Sequence, residues 1–253
     1  MIAVGIDAGS TATKAVLIDG DKIKALIRPT GWSPRQAGRD IYAELLNREG
    51  YSAKQIDKIV ATGYGRIALD LAQQKVTEIT CHAKGAAFLL PGADMVIDVG
   101  GQDSKVIKID PKGKVLDFAM NDKCAAGTGR FLQVTAAALG LDVSELPEFS
   151  QVEKPVNINN ICTVFAESEI IGLLAQGIKK EAIVAGLHLA VAKRVAAMVK
   201  RMSSGKQIVF TGGVALNHSV QKYLEQELGT KLYVPKYCQL AGALGAALLG
   251  LEV

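Results

Sequence analysis

The chain has 253 residues, of which 49% are hydrophobic and 21% charged, so it can bury a substantial core and is not a disordered chain. Its net charge of +4 is mild, and the basic residues between 179 and 206 have no aromatic residues among them, which favours a solvated helix face over nucleic-acid binding. The chain enters a strand at once, and its longest uncharged apolar stretch, 240–251, is too short to span a bilayer, so we expect a cytoplasmic protein with no membrane association.

Strands and helices alternate along the whole sequence, which predicts an α/β fold. The apolar pattern predicts strands at 2–7, 13–19 and 22–28, a helix near 35–48, a strand at 56–61, and helices near 66–73 and 80–90. It continues with strands at 94–99, 104–109 and 114–119, helices near 125–139, 164–176 and 180–202, a strand at 207–211, a helix at 217–228, a strand at 231–234 and a final helix. Gly177 and the run Ser203-Ser204-Gly205 are predicted helix stops.

One pattern occurs twice in this order of elements, at 6–19 and at 97–110. In register, Asp7 aligns with Asp98 and Lys14 with Lys105. Each copy is an apolar strand that ends at Asp-x-Gly, a polar turn, and a returning strand. Backbone N–H groups in such a turn can hold phosphate oxygens, while the carboxylate holds a hydrated divalent cation. The duplication predicts two similar lobes that face each other across a nucleotide cleft.

A third glycine-rich segment completes a familiar set of motifs. The first two are Gly5 to Lys14 and Val96 to Lys105, and the third is the strand and turn IVFTGGV at 208–214. In this order they resemble the actin, sugar-kinase and Hsp70 ATPase superfamily. The resemblance implies two actin-like lobes, each a copy of a ribonuclease H-like fold. We expect the first lobe at 1–92, the second at 93–238, and a C-terminal helix, about 239–253, that returns to the first.

The motifs also assign roles to residues. Asp7 is expected in the water shell of Mg²⁺, against the alternative of a turn cap, with Asp98 as a second candidate. Gln102 carries an amide that can orient the attacking water, and Glu78 is a candidate to polarise water, against a plain surface role. The expected ATP or ADP contacts are Gly9, Ser10, Thr11, Ala12, Lys14, Gly100, Gly101 and Gln102 at the phosphates, with Gly212 and Gly213 at the adenosine.

The four cysteines follow neither a zinc-finger nor a disulfide pattern. Cys81 and Cys238 are expected in the core. Cys124 and Cys162 each stand at a predicted helix start, where the helix dipole and free N–H groups favour a thiolate. Two thiolates are half of the ligands that a [4Fe–4S] cluster needs, and a two-fold dimer would supply the other half.

Five segments then narrow the resemblance: VIDVGGQDSKVI, MNDKCAAGTGRFL, CTVFAESE, ATGYGR and FTGGVALN. Together they resemble the ATP-dependent activators, or archerases, of 2-hydroxyacyl-CoA dehydratases and their benzoyl-CoA reductase relatives. The resemblance implies a homodimer that binds MgATP and holds one [4Fe–4S] cluster through Cys124 and Cys162 of each subunit. It implies a single electron passed to an iron–sulfur partner protein, with a ferredoxin or flavodoxin as donor. No mechanism follows for Tyr64 and Arg66.

Two other classes of protein remain as alternatives. A small-molecule kinase of the same fold, for a sugar or an acid, would need a general base and a substrate pocket, and no Asp or Glu of this short chain indicates one. A nucleotide-gated assembly protein without catalytic activity would leave Cys124 and Cys162 without a role. In the activator, the short sequence path from the 100–102 turn to Cys124 predicts that changes at the γ-phosphate reach the cluster.

Overall fold

The structure, a computed structural model, describes residues 1–121, 123–150, 154–159, 162–202 and 205–252. Two compact units make up the chain. Unit one comprises Met1–Val96, Ile107–Phe118 and Pro235–Val253, and unit two comprises Ile97–Val106 and Ala119–Val234. The lobe boundaries predicted from the sequence stay a prediction.

The described residues form strands and helices that alternate as an α/β protein requires. The strands are β1 (Ile2–Ala8), β2 (Ala12–Asp19), β3 (Lys22–Pro29), β4 (Lys58–Thr62), β5 (Gln74–Lys75), β6 (Met95–Val99), β7 (Ser104–Ile109), β8 (Val115–Asn121), β9 (Ile208–Thr211) and β10 (Leu232–Tyr233). The helices are α1 (Pro34–Glu49), α2 (Glu78–Leu89), α3 (Gly129–Ala138), α4 (Thr163–Ala175), α5 (Lys180–Arg201), α6 (His218–Leu228) and α7 (Ala241–Leu251).

The strands form two five-stranded sheets of the same design. The first has the order β3-β2-β1-β4-β5, and the second has the order β8-β7-β6-β9-β10. Each strand of the first sheet therefore has a counterpart in the second, in the order in which the strands occur along the chain. In the first sheet β1 pairs antiparallel with β2 and parallel with β4. The predicted α/β class and the duplication are confirmed.

Strand β2 shows how the core of unit one is built. Its side chains alternate between the two faces of the sheet, as the pleat requires. Leu17 packs in one buried cluster with Ile41 and Leu45 of α1. Val16 packs on the other face with Leu244 of α7, in a cluster that also contains Ala243 and Ala247. Full burial of each such aliphatic side chain stabilises the fold by about 1.5–3 kcal/mol, so this strand is fixed from both faces.

Helix α7 approaches its neighbours closely because it is built from small residues. A β-carbon at Gly245 would collide with the backbone carbonyl of Cys81 in α2, and one at Gly5 in β1 would collide with α7. Glycine at both positions lets the backbones come together. The helix thereby joins the C-terminal part of the chain to unit one, between α2 and the first sheet.

Three of the predicted elements differ from the structure. The helix predicted near 66–73 is wrong: a 3-10 turn at Tyr64–Ala68 is followed by edge strand β5. Helix α3 begins at Gly129 and not at 125, because Gly127 has a positive φ of 80° and Thr128 is extended. Helix α2 begins at Glu78 and not near 80, since Thr77 caps it through the N–H of Thr80. The stop predicted after α5 at 203–205 includes residues 203 and 204, which lie outside the described residues.

Helix α5 is the main helix of unit two. By length and composition alone it could cross a membrane, since its 22 residues reach a mean hydropathy of 1.6 over the most apolar window. However, 67% of that window is buried inside the protein, as in the core helix of a globular domain. Its buried residues include Leu187, Val191 and Val195, so its apolar character is explained by packing.

Candidate functional site

Asp7 lies at the end of β1, where three strands bring polar groups together. Its Cα is opposite Lys14 of β2 and Thr62 of β4. The Lys14 Nζ lies 3.1 Å from Asp7 Oδ2, and Asp7 is only 2% exposed. Asp7 Oδ1 is also buried, and among the described residues it has no hydrogen-bond partner. A buried carboxylate oxygen is costly to leave unsatisfied, so this atom still has the capacity to accept a hydrogen bond or contact a ligand.

Asp98 is the counterpart of Asp7 in unit two, at the end of β6, but its surroundings differ. Thr211 Oγ1 donates to Asp98 Oδ1 at 3.2 Å, and Lys105 Nζ lies 3.5 Å from Asp98 Oδ2. The same Nζ lies 2.8 Å from Asp103 Oδ2. Lys105 is 1% exposed, whereas the side chain of Lys14 is 19% exposed. Both oxygens of Asp98 therefore already have partners, unlike those of Asp7.

The duplication extends to two glycine turns that follow β4 and β9. Gly63 has φ 88° and ψ 175°, and Gly212 has φ 90° and ψ 176°. A β-carbon on Gly63 would lie 2.6 Å from the Ala8 carbonyl oxygen, and one on Gly212 would lie 2.8 Å from Asp98 Oδ1. Only glycine adopts this conformation with so little space. The ATGYGR segment is thus the unit-one equivalent of the FTGGVALN segment, a relation that sequence reasoning missed.

The signal for that relation was present in the sequence. Thr62-Gly63 and Thr211-Gly212 each follow a buried strand, and each precedes a 3-10 turn. This places Tyr64 and Arg66 on the turn that corresponds to Gly213–Leu216. The Arg66 guanidinium donates to the Gly63 carbonyl at 3.0 Å, which braces the turn.

The two hairpin turns are shaped by local hydrogen bonds and leave polar groups exposed. Thr30 Oγ1 donates to the Gly9 carbonyl at 2.7 Å, and the Gly100 N–H donates to the Asp103 carbonyl at 2.9 Å. Ser10, Thr11 and Gln102 are exposed. Five further predicted nucleotide contacts are partly buried: Gly9, Ala12, Lys14, Gly100 and Gly101. Gly212 is buried, and Gly213 is exposed.

The second hairpin is hydrogen-bonded directly to helix α3. The N–H of Gly129 donates to the Gly100 carbonyl at 2.9 Å, and the N–H of Arg130 donates to the Gly101 carbonyl at 2.7 Å. The first N–H groups of a helix have no partner within it. Here the second hairpin supplies that partner, so the hairpin and the helix that follows Cys124 form one hydrogen-bonded assembly.

The four cysteines divide into a buried pair and an exposed pair. Cys81 and Cys238 are buried, while Cys124 and Cys162 are exposed. Burial raises the pKa of the Cys81 thiol to about 12, so it stays protonated. Cys162 is the N-cap residue of α4. Cys124 lies five residues before the start of α3, and α3 and α4 pack against each other in unit two.

Helix α4 presents apolar side chains to solvent next to Cys162. Val164, Phe165 and Ile171 are 71%, 62% and 56% exposed. Ala166 and Ile170 on the other side of the helix are buried. Glu167 and Ser168 are exposed on the same helix, so these apolar side chains form a mixed surface that a further partner could cover.

Two further polar residues that the sequence offers for function are Glu78 and His188. Glu78 is the first residue of α2 and partly buried. His188 is buried in α5, and its Nε2 lies 3.0 Å from Asn217 Nδ2. Within the part of the chain that the structure describes, no three His, Cys, Asp or Glu side chains come together as a metal site.

Comparison of the sequence with known proteins identifies its family. The sequence matches the BadF/BadG/BcrA/BcrD ATPase family over residues 4–250. It is 43% identical to the 2-hydroxyisocaproyl-CoA dehydratase activator of Clostridioides difficile, over 100% of this chain and 96% of that protein. It is 44% identical to the (R)-2-hydroxyglutaryl-CoA dehydratase activating ATPase of Acidaminococcus fermentans, over 97% of this chain and 95% of that protein.

Solved structures give the same result. The activator of the 2-hydroxyisocaproyl-CoA dehydratase from Clostridium difficile, with bound ADPNP, has a TM-score of 0.93 and 43% identity over 100% of this chain and 95% of that chain. A ROK family glucokinase from Streptomyces griseus is 14% identical, with a TM-score of 0.59 over 100% of both chains. That second likeness shows the fold alone. The predicted family resemblance and the actin-like fold are confirmed.

Proposed function

Since the chain belongs to the BadF/BadG/BcrA/BcrD ATPase family, we propose that it is an ATP-hydrolysing iron–sulfur reductase. In this proposal it delivers single low-potential electrons to a partner metalloenzyme. The partner is a 2-hydroxyacyl-CoA dehydratase or a related double-cubane cluster protein, and the electron donor is a ferredoxin or flavodoxin. Relatives that are dehydratase activators support a partner of the first kind.

One observation carries the iron–sulfur part of the proposal: the contrast between the two pairs of cysteines. A cysteine that only fills space is normally buried, as Cys81 and Cys238 are. Cys124 and Cys162 are exposed, and Cys162 begins a helix, where the dipole favours a thiolate. Thiolates are the ligands of iron–sulfur clusters. The donor set of this chain therefore fits one half of a [4Fe–4S] site.

A second copy of the chain would complete that site. Two cysteines from each subunit make the four thiolates that the cluster needs, with the cluster on the two-fold axis. The exposed apolar side chains of Val164 and Phe165 lie in the first turn of α4, next to Cys162, and support burial against a second copy. When bound, the cluster would supply a one-electron carrier at the dimer interface.

The surroundings of Asp7 fit a hydrated divalent cation. Its Oδ1 is buried and has no hydrogen-bond partner among the described residues, while its Oδ2 is held by Lys14 at 3.1 Å. We assign Asp7 to the water shell of Mg²⁺, and Lys14 with the exposed Ser10 and Thr11 to the phosphates. Asp98 is less suited, because Thr211 and Lys105 already contact its oxygens.

Gln102 is suited to act on the nucleophile of ATP hydrolysis. Its side chain is exposed on the turn of the second hairpin. The amide oxygen is therefore available to accept a hydrogen bond from the attacking water, so that a lone pair of the water points at the γ-phosphate. Glu78 stays a second candidate to polarise that water. Because Gly100 and Gly101 are bonded to α3, a shift of this turn moves the helix that follows Cys124.

Anaerobic purification tests the proposal. We expect a brown protein with about four irons per dimer, and phosphate release that depends on Mg²⁺. It should also transfer electrons to a dehydratase partner only while ATP is hydrolysed. A colourless, iron-free protein that phosphorylates a sugar or an acid would show instead that the chain is a small-molecule kinase.

A further inference from the structure

Asn121 contacts the backbone of the segment that carries Cys124. It is the last residue of β8, and its Nδ2 donates to the Cys124 carbonyl at 3.0 Å and to the Ala126 carbonyl at 2.9 Å. Both acceptors are carbonyl oxygens, so only the NH₂ end of the amide satisfies them. The two amide hydrogens are therefore both used to hold one turn.

The carbonyl between these two is held by a different side chain. Thr128 Oγ1 donates to the Ala125 carbonyl at 2.6 Å, and the Thr128 N–H donates to the same oxygen at 3.0 Å. Three consecutive carbonyls, from Cys124 to Ala126, thus accept side-chain donors. A backbone whose peptide planes are fixed in this way has few conformations left, and the position of the Cys124 β-carbon follows from them.

The same segment is fixed at its far end by the second hairpin, between β6 and β7. The Gly129 and Arg130 N–H groups donate to the carbonyls of Gly100 and Gly101, so residues 124–128 have hydrogen-bonded anchors on both sides within unit two. Cys124 itself is exposed. The hydrogen bonds of Asn121 therefore help to fix the backbone from which this thiol projects.

We propose that Asn121 is a positioning residue that sets the place of Cys124 in advance of cluster assembly. This inference rests on the proposed function, in which Cys124 is a cluster ligand. A ligand that is held in its bound position loses less conformational freedom when the metal binds. Asn121 therefore slows loss of the cluster and keeps its ligand geometry constant, without contacting the iron itself.

The sharpest variant is Asn121→Asp, which keeps the shape but replaces the donors with a carboxylate that would face two carbonyl oxygens. Asn121→Ala also removes the donors, but water can take their place at this partly exposed site, so its effect should be smaller. Asn47→Asp, at an exposed position of α1 in unit one, is the matched control for the change of charge.

Two measurements test the role of Asn121. Iron release to a chelator from the anaerobically reconstituted protein should be roughly 5- to 30-fold faster for Asn121→Asp, the range for losing one or two net hydrogen bonds. Deuterium uptake by the cluster-free chain should rise over residues 123–130 and stay unchanged over the first sheet. Asn47→Asp should match the unaltered protein in both.

The outcomes separate the two proposals. In one outcome, the unaltered protein binds iron and Cys124→Ser loses it, but Asn121→Asp shows a normal rate of iron release and normal deuterium uptake. The positioning role is then wrong, while the proposed function stands. If the unaltered protein binds no iron, the proposed function fails, and the positioning of a cluster ligand fails with it. Faster iron release with raised uptake confined to 123–130 would support the inference.

Discussion

The N–H of Arg130 donates a 2.7 Å hydrogen bond to the carbonyl oxygen of Gly101. With the parallel bond from Gly129 to Gly100, it attaches the first turn of α3 to the hairpin next to Gln102. The sequence predicted a short path from this hairpin to Cys124 along the chain. The path through hydrogen bonds is shorter still, because it bypasses the whole of β7 and β8. Separating hydrolysis from electron transfer tests whether this link couples the two reactions.

Gln102→Ala should leave ATP binding intact but slow its hydrolysis. In the proposed site, binding relies on Asp7, Lys14 and backbone N–H groups, which the substitution does not touch. Turnover should fall roughly 10²-fold or more, the scale for losing one preorganised polar group at a transition state. Phosphate release and reduction of an acceptor protein should be measured on the same anaerobic preparation, with exposed Gln176→Ala as the control.

Electron transfer should fall together with hydrolysis in the Gln102 variant. A dithionite-reduced cluster should still form, because Cys124 and Cys162 are unchanged. Acceptor reduction at the normal rate alongside a collapsed ATPase would mean that the hairpin does not couple the two reactions.

Replacing Asp7 should affect ATP hydrolysis, whereas replacing Asp98 should affect stability. Asp7→Ala should abolish Mg²⁺-dependent hydrolysis and leave iron content and thermal stability close to normal, because Lys14 is partly solvated. Asp98→Ala should chiefly destabilise unit two, since it removes a partner from the buried Lys105. Loss of one partner from a buried ion pair costs about 3–5 kcal/mol, although Asp103 remains to reduce that cost.

Steady-state phosphate release, iron content and melting temperature distinguish the two variants. Normal hydrolysis in Asp7→Ala would mean that the first hairpin is not the Mg²⁺ site.

The fold was largely predictable from this sequence because its strands are duplicated and the central ones are buried. Repeated Asp-x-Gly and Thr-Gly steps mark the ends of equivalent strands, and burial on both faces makes them continuous apolar runs. The segment at 66–73 was predicted wrongly, since its apolar residues suit a helix, although the Thr62-Gly63 step before it, which matches Thr211-Gly212, marks the start of a 3-10 turn.

The site was predictable in its residue types but not in its asymmetry. Asp7 and Asp98 occupy the same place in two copies of one pattern. Only the structure shows that Lys105 is shared by Asp98 and Asp103, while Asp7 Oδ1 is left open. The roles of Thr128 and Asn121 were also hidden, because they depend on side-chain hydrogen bonds to a turn that the apolar pattern assigned to a helix.

Removing either exposed cysteine should abolish the cluster, and removing either buried one should not. Cys124→Ser and Cys162→Ser should yield colourless protein after anaerobic reconstitution, because a serine oxygen is a poor substitute for a thiolate ligand of iron. Cys81→Ser and Cys238→Ser are the matched controls, and iron content with visible absorption is the measurement. A full cluster in Cys124→Ser would overturn the assignment of that residue.

The two equivalent glycine turns should be equally intolerant of a side chain. Gly63→Ala and Gly212→Ala would each place a β-carbon against the preceding strand-end residues in a conformation that alanine rarely adopts. We expect a loss of about 1–3 kcal/mol in stability for each, with Gly212→Ala also weakening nucleotide binding. Gly229→Ala is the control, because its φ is positive as well but the space around it is open. Equal melting temperatures for all three would contradict the crowding described for these turns.

Stability should fall on mild acidification because of His188. Asn217 Oδ1 accepts from the N–H groups of Ser219 and Val220, so its NH₂ faces His188 Nε2, which must therefore accept and be unprotonated. Burial, with a smaller contribution from the charge of His218, lowers the pKa of His188 from 6.5 to about 4. The unfolded chain thus binds a proton more readily than the folded one. The stability due to the neutral ring is complete above the pKa of His188 in the unfolded chain and is lost as the pH falls from 6.5 towards 4.

Between about pH 7 and about pH 5 the free energy of unfolding, measured with urea, should fall by roughly 2 kcal/mol. In His188→Gln, whose side-chain oxygen can still accept from Asn217, that part of the pH dependence should disappear. An equal loss in both proteins over this range would show that other groups account for the acid sensitivity.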